Sequence, residues 1–229
     1  MSVKAVFHLA LLASAVLGCH SSKRGQASSD VAPIGTVDQS PKEAILSVLR
    51  QGNLSAIVEV RGRCLDAHAI AYTLKVNPQR SQEGEPLAQL RSLLSGNQGL
   101  NFFVNGANLI VISSEGVDRD LLQVRIRHLR LSETEQYNPN DALLAALASK
   151  EIQGYMSQHN ISLTNQWGGL RAVPSTEMTH MRPQFDDLTL DQFEKKILET
   201  FPGIVVYQEC SMPHGRVLVS FEADRIPSR

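Results

Sequence analysis

The sequence has few cysteines and lacks the short motifs that mark common catalytic sites. It contains three cysteines and one tryptophan among 229 residues, and no two cysteines form a Cys-x-x-Cys pair. A Gly-rich phosphate loop, His-Glu-x-x-His and Gly-x-Ser-x-Gly are also missing. We therefore predict no catalytic residues, no cofactor-binding residues and no metal ligands, and interpret the protein as a non-enzyme.

An excess of charge of either sign is missing as well. The chain has 22 Lys and Arg against 23 Asp and Glu, a net charge of −1. Proteins whose main partner is nucleic acid normally present a strongly basic surface. The sequence therefore argues against nucleic acid as a partner.

The N-terminal residues have the form of an export signal. Lys4 supplies a basic start, residues 5–17 are mostly apolar, and the small residue Gly18 precedes Cys19. This run is about half of the ~20 apolar residues that a membrane-spanning helix needs, and no second run is long enough. A basic start, a short apolar core and small residues at its end are typical of a signal peptide.

The end of this segment, Val16-Leu17-Gly18-Cys19, resembles the lipobox of bacterial lipoproteins. The resemblance implies cleavage before Cys19 and a diacylglycerol anchor on its thiol, so that the membrane becomes a partner through lipid. The next residue is His20, not the Asp associated with inner-membrane retention, which implies the periplasmic face of the outer membrane. An ordinary secretory signal with an incidental cysteine is the alternative.

The chain divides into a signal, a tether and two halves. Residues 1–18 form the signal peptide, and 19–39, rich in Ser, Gly, Ala and Pro, form a tether behind the lipidated cysteine. Such a tether has a root-mean-square span of about 25 Å. Ordered structure is predicted from Ser40, with one module at 40–121 and a second at 122–229.

The two halves repeat the same order of sequence patterns. Each opens with a helix start, Ser40-Pro41-Lys42-Glu43 or Asn138-Pro139-Asn140-Asp141. Each closes with two apolar runs, which in the first half flank the turn Asn105-Gly106. We predict an α+β fold of two similar, duplicated α-β-β-α-β-β modules, each a small sheet packed by two helices.

Periodicity predicts three further elements. Residues 68–76 alternate and predict a strand, 122–131 predict a linking strand, and an apolar face predicts one long helix that continues through 144–156. Asp186-Asp187 is interpreted as a solvated loop before a helix, and Thr189 is predicted to cap that helix.

The last part of each half carries one pattern of apolar positions. It reads Leu-x-x-Leu-x-x-x-Leu, then Gly-Leu-x-Phe, in the first half, and is clearest over 85–112 and 188–221. This pattern resembles the small N-terminal domains of secretins and TonB-dependent transporters. The resemblance implies protein–protein contacts in the cell envelope and no catalytic residues.

Four residues are candidates for contact with a partner. Arg125, Arg127 and Arg130 form either a ridge that binds an anion or a partner, or a charged face that prevents edge association, which we prefer. Alternation places Arg125 and Arg127 on one strand face and His128 on the other. Trp167 anchors a partner or a sugar, or, as we prefer, covers the core.

Cys64 and Cys210 remain after lipidation. Export places them in an oxidising compartment, where they are the only pair available for an intramolecular disulfide. Two separate buried thiols look the same in sequence, and this is the interpretation that we prefer.

The sequence thus predicts a membrane-anchored envelope lipoprotein. Its predicted function is non-enzymatic docking of an envelope protein, in a secretin-like or transport assembly. The alternative function is binding of a small molecule or a glycan between the two modules.

Overall fold

The computed structural model describes residues 41–66, 68–71, 74–77, 84–106, 108–164 and 179–226. Cys19, the Ser40 cap and Trp167 therefore lie outside the described residues. Within the described ranges, no helix combines the length and the apolar character needed to cross a membrane.

Helices and strands alternate along the described chain. The helices are α1 (Pro41–Gly52), α2 (Pro86–Leu93), α3 (Pro139–Leu147), α4 (Lys150–Gln158) and α5 (Leu190–Thr200). The strands are β1 (Ser55–Arg61), β2 (Arg63–Cys64), β3 (Ile70–Ala71), β4 (Leu100–Asn105), β5 (Leu109–Ser114), β6 (Arg125–Arg130), β7 (Ile161–Leu163), β8 (Gln184–Thr189), β9 (Gly203–Ser211) and β10 (Val217–Arg225). The predicted α+β class is confirmed.

Six strands form one mixed sheet in the order β4-β5-β1-β9-β10-β7. β4–β5 and β9–β10 are antiparallel hairpins, β1 is parallel to both β5 and β9, and β7 is parallel to β10. Two ribbons, β2–β3 and β6–β8, lie outside this sheet.

The halves of the sequence share this sheet and do not form two sheets. β1 pairs with β9 from Ala56 to Arg61, and Gln39–Arg229 form one compact unit. Within the sheet, β4-β5-β1 and β9-β10-β7 have the same arrangement, a hairpin followed by a strand parallel to its second strand. A common origin of the two halves stays a prediction.

Helices cover both faces of the sheet. Alternation along β1 sends Ala56, Val58 and Val60 into a core with α1 and α2, whereas Ile57 joins a second core with α3, α4 and α5. β9 divides in the same way, because Val206 packs in the first core and Val205 in the second. The central strands are therefore buried on both sides, as in other sheets that lie between helix layers.

Local caps begin α3 and α5 where the sequence predicts them. The Asn138 side chain accepts hydrogen bonds from the backbone N–H groups of Asn140 and Asp141. Thr189 and Gln192 form a reciprocal capping box at α5. The single long helix predicted through 144–156 is wrong, because Ser149 is extended (ψ 147°) and separates α3 from α4.

Three other predicted elements differ. Of the described residues in 68–76, Ile70–Ala71 form a strand, and at Lys75 the Asn97 side chain bonds the backbone N–H and C=O and replaces a strand partner. The linking strand begins at Arg125, after a 3-10 turn at Leu121–Gln123. Asp186-Asp187 lies in β8, which pairs with β6, and not in a loop.

Cys64 and Cys210 form a disulfide, with their Cα atoms 5.5 Å apart. The preferred interpretation of two separate thiols is therefore wrong. The bond ties β2 of the first half to β9 of the second. It encloses a sequence separation of 146 residues, so it strongly restricts the unfolded chain.

Replacing both Cys64 and Cys210 by Ser should lower the free energy of unfolding by roughly 2–5 kcal/mol, because the unfolded chain regains entropy. Urea denaturation of the oxidised wild type and of the double variant measures the difference. The reduced wild type is the matched control and should lose a similar amount. Reactive thiols at these positions in denatured, unreduced wild type would contradict the bond.

Candidate functional site

The first hairpin leaves one side of the sheet open. β4 pairs with β5 through its inner side and is the end strand of the six-stranded sheet. The turn begins at Gly106, with φ 71°, one residue later than predicted, because Asn105 is the last residue of β4 and pairs with Leu109. The outer side of β4 therefore has no strand partner among the described residues.

The hydrogen-bond pattern shows which groups of β4 point outward. The N–H of Glu115 donates to the C=O of Gly99, its register partner, so this is a hydrogen-bonded pair. Such pairs alternate along an antiparallel ladder. The backbone groups of Asn101, Phe103 and Asn105 therefore bond to β5. The backbone N–H and C=O groups of the alternate residues, Leu100, Phe102 and Val104, point away from β5.

The side chains of β4 are apolar or uncharged. Phe103 and Val104 are each 57% exposed, which is unusual for large apolar residues. Phe102 packs at the border of the α1–α2 core, with the Arg91 guanidinium 5.7 Å from its ring centroid. Natural edge strands commonly carry charges or proline that discourage pairing, and β4 has neither.

The predicted arginine ridge lies on the β6–β8 ribbon. Arg125, Arg127 and Arg130 are all exposed there. Arg125 forms an ion pair with Asp187 (Nη1–Oδ2 2.8 Å), whereas Arg127 and Arg130 have no ion-pair partner among the described residues. The three arginines are therefore exposed, and Asp187 of β8 neutralises part of their charge. Their role stays a prediction.

One detail of the ridge differs from the prediction. His128 is exposed beside the arginines, and its Nδ1 lies 2.7 Å from Asp186 Oδ1. In the β6–β8 ladder, Ile126 pairs with Leu188 and His128 with Asp186, but Asp187, which has a φ of 53°, has no ladder partner. The alternation of side chains along β6 is interrupted at this point. Ile126 and Leu129 are three residues apart, and both are buried in the core.

A second group of residues forms a buried acidic cluster between β1 and α5. Glu59 of β1 and Glu194 of α5 have no exposed surface, and Asp191 is nearly buried. Arg119 Nη2 lies 3.0 Å from Glu59 Oε1 and 3.1 Å from Asp191 Oδ1. Lys195 Nζ lies 2.7 Å from Asp191 Oδ2. Two cations thus face three carboxyl groups.

Glu194 is the member of this cluster with neither a hydrogen bond nor an ion pair among the described residues. Neither of its carboxyl oxygens has a hydrogen-bond partner among the described residues. Burial raises the pKa of Glu194 well above its usual range, and the charges of Asp191 and Glu59 raise it further. Burial also raises the pKa of Glu59, against the opposing effect of Arg119. The arrangement therefore favours a protonated carboxyl at this place.

Next to the cluster, Tyr207 and Glu209 of β9 belong to a network of hydrogen bonds. Tyr207 donates to Glu209 Oε2 (3.0 Å), and the other oxygen of Glu209 accepts from the backbone N–H of Asp118 (2.9 Å). Arg61 Nε lies 3.3 Å from the same oxygen. Burial and the neighbouring carboxylate raise the pKa of Tyr207. Both oxygens of the Glu209 carboxylate thus have partners, and we interpret this network as structural.

A cavity of about 450 Å³ lies where the halves meet, beside the disulfide, and residues 62–66 and 210–213 line it. Small-ligand sites usually fix their ligand with a few converging polar groups. The buried polar side chains of the described residues lie elsewhere. The described residues also contain no group of three His, Cys, Asp or Glu that could hold a metal ion.

Sequence reasoning missed the acidic cluster, although the signal was present. Glu59 interrupts the apolar run Ala56–Val60, and Glu194 lies between Leu190 and Ile197 at helical spacing. A charged residue on a periodic apolar face predicts a buried carboxyl. No local sequence signal shows that β4 is an unpaired edge strand, because the order of strands in a sheet depends on contacts between residues far apart in the sequence.

Glu194→Gln should change how stability depends on pH. The raised pKa means that folded Glu194 keeps a proton that the unfolded chain loses near pH 4.3. The wild type should therefore lose stability as pH rises above that value, through the folded-state pKa. The variant should be about equally stable near pH 4 and about 1–3 kcal/mol more stable than wild type at pH 8. Urea denaturation across this pH range measures it.

Glu199→Gln is the matched control, because Glu199 is an exposed residue of the same helix. It removes a carboxyl group from the protein surface and should not give the gain in stability at pH 8. Parallel profiles for wild type and Glu194→Gln would show that Glu194 does not hold the proton.

No protein-family model, curated protein or solved structure matches this chain. The likeness to secretin and TonB-dependent transporter domains stays a prediction from a pattern of apolar positions. What the protein does must be inferred from its own residues, of which the open, uncharged β4 edge is the most distinctive feature.

Proposed function

We propose that this chain is a lipid-anchored, non-enzymatic docking protein of the bacterial cell envelope, which binds another protein along β4. The lipid on Cys19 would hold it at the periplasmic face of the outer membrane, and residues 19–39 would separate the folded part from the bilayer. The open edge of β4 is the observation that carries this proposal.

An open strand edge binds protein by strand addition. Main-chain hydrogen bonds supply affinity, and side chains at alternate positions supply specificity. On β4 the outward N–H and C=O groups of Leu100, Phe102 and Val104 have no backbone partner among the described residues and could form such bonds. Phe103 and Val104 add exposed apolar surface at the same place, which a bound strand would cover. The best-fitting partner segment is extended and uncharged.

The alternative, a small molecule or glycan held between the halves, has weaker support. β1 and β9 are hydrogen-bonded neighbours, so the halves meet as one sheet. The cavity beside the disulfide has no buried polar side chain in its described lining to orient a ligand. Docking along β4 would use the outward backbone N–H and C=O groups of this strand, which already have the direction that strand addition requires.

Cys19→Ser should release the protein from membranes, because the thiol that carries the lipid is lost. Fractionation of cells into membrane and soluble material, with the mass of the mature protein, measures the change. His20→Asp is the matched control, since it keeps the cysteine and should keep the protein on a membrane. A Cys19→Ser protein that stays in the membrane fraction at the wild-type level would rule out the anchor.

A photo-cross-linking amino acid at Phe103 should capture a protein in living cells. Adding Val104→Pro removes an outward N–H, which proline on an edge strand can lack without breaking the inner ladder. The cross-linked product should then fall at least about tenfold.

Val104→Thr is the matched control, because it keeps both the N–H and the preference for a strand. A cross-linker at Lys150, exposed on α4, controls for random capture. Equal products from positions 103 and 150, or no effect of Val104→Pro, would contradict docking along β4.

A further inference from the structure

We infer that the protein bound along β4 is a second copy of this chain, so that two six-stranded sheets join edge to edge. This inference rests on the docking function proposed above and names its partner. It depends on the charge of β4, the positions of its outward groups and the register that a two-fold axis imposes.

The composition of β4 suits pairing with itself. The strand Leu-Asn-Phe-Phe-Val-Asn carries no charge. Around a two-fold axis the central residue of a strand faces its own copy, and a charge there would repel itself. An uncharged strand avoids this repulsion, and it also offers no charge for a different, charged partner to recognise.

The outward groups of β4 are complementary in one symmetric register. If Phe102 lies opposite the partner's Phe102, Val104 lies opposite the partner's Leu100, and Leu100 opposite the partner's Val104. Each of these pairs joins residues whose N–H and C=O groups point outward, and each therefore forms two hydrogen bonds. All outward donors and acceptors of the strand are then satisfied.

The same register covers the exposed apolar side chains. On the face that carries α1 and α2, Val104 would pack against the partner's Leu100, and the two Phe102 rings would meet across the axis. On the other face, Phe103 would lie opposite the partner's Asn101 and diagonally near the partner's Phe103, within reach of an aromatic contact. The two large side chains that are 57% exposed in one copy become covered.

Pairing along β4 would also stop at two copies. A two-fold contact uses the β4 edge of both chains and leaves neither free. The opposite end of the sheet is β7, which has only three residues, Ile161–Leu163. A single strand pair is small beside the interfaces of permanent dimers, so dimerisation should depend on protein concentration.

The mass of the protein in solution tests the inference. We would use the mature chain, residues 19–229 with Cys19→Ser, so that neither the signal peptide nor a lipid drives association. Light scattering over a range of concentrations should show a rise from the monomer mass to twice that mass. Val104→Lys, which places a charge beside the partner's Leu100, should keep the mass at the monomer value, whereas Val104→Thr should still double it.

A disulfide between copies tests the register. In the same background Phe102→Cys adds the only free thiol, because Cys64 and Cys210 are bonded. Opposed residues of a hydrogen-bonded pair have Cα atoms about 5.5 Å apart, which suits a disulfide. Phe102→Cys should therefore form a covalent dimer on oxidation.

Val104→Cys is the control, since its copy would lie four residues along the strand, about 13 Å away, and should not form the bond. Thermal unfolding of both variants verifies that they are folded. Equal cross-linking of the two variants would overturn the register.

The two proposals fail in different ways. A chain that stays monomeric, while a cross-linker at Phe103 captures a different protein, overturns self-pairing and leaves docking in place. A monomer with no captured protein overturns both. A dimer that Val104→Lys does not weaken overturns pairing along β4.

Discussion

The parallel pairing of β1 with β9 is the interaction on which the rest of the structure depends. It joins the two halves of the sequence into one sheet, in register from Ala56 with Ile204 to Arg61 with Glu209. Every residue of both strands except the last is buried. Such burial requires nearly continuous apolar runs, and it places one core on each side of the pair.

Other contacts reinforce the same junction. The disulfide joins Cys64 to Cys210, Arg61 reaches Glu209, and Arg119 bridges Glu59 and Asp191. The disulfide acts at every pH in oxidising surroundings, whereas the buried carboxyl groups cost free energy once they ionise. The junction thus combines a covalent restraint with a cluster that carries more carboxyl groups than cations. Residues from both halves build each of them, so neither half contains a complete set.

Local sequence signals predicted the elements that nearby residues determine. Asn138 caps α3, Thr189 caps α5 and the first hairpin turns at Gly106, next to the predicted place, because the bonds at caps and turns are made within a few residues. Predictions were wrong where a distant residue decides. The Asn97 side chain bonds the backbone N–H and C=O of Lys75. In β8, Asp187 has a positive φ and no ladder partner, at the point where the side chains of β6 change faces. The choice of β9 as the neighbour of β1, and hence of β4 as the open edge, is non-local in the same sense.

Covering both faces of a sheet with helices leaves its edges as the places where backbone groups can still bind protein. An uncharged edge is an aggregation hazard for a freely diffusing protein, but the proposed two-fold pair would occupy the edge and remove this hazard. Anchoring alters the energetics further. The proposed tether, with a span of about 25 Å, would keep anchored copies close to one surface, which would raise their effective concentration and allow a short strand pair to suffice. The proposed lipid on Cys19 and the edge at β4 are therefore complementary, because a weak contact in solution becomes an effective one on a membrane.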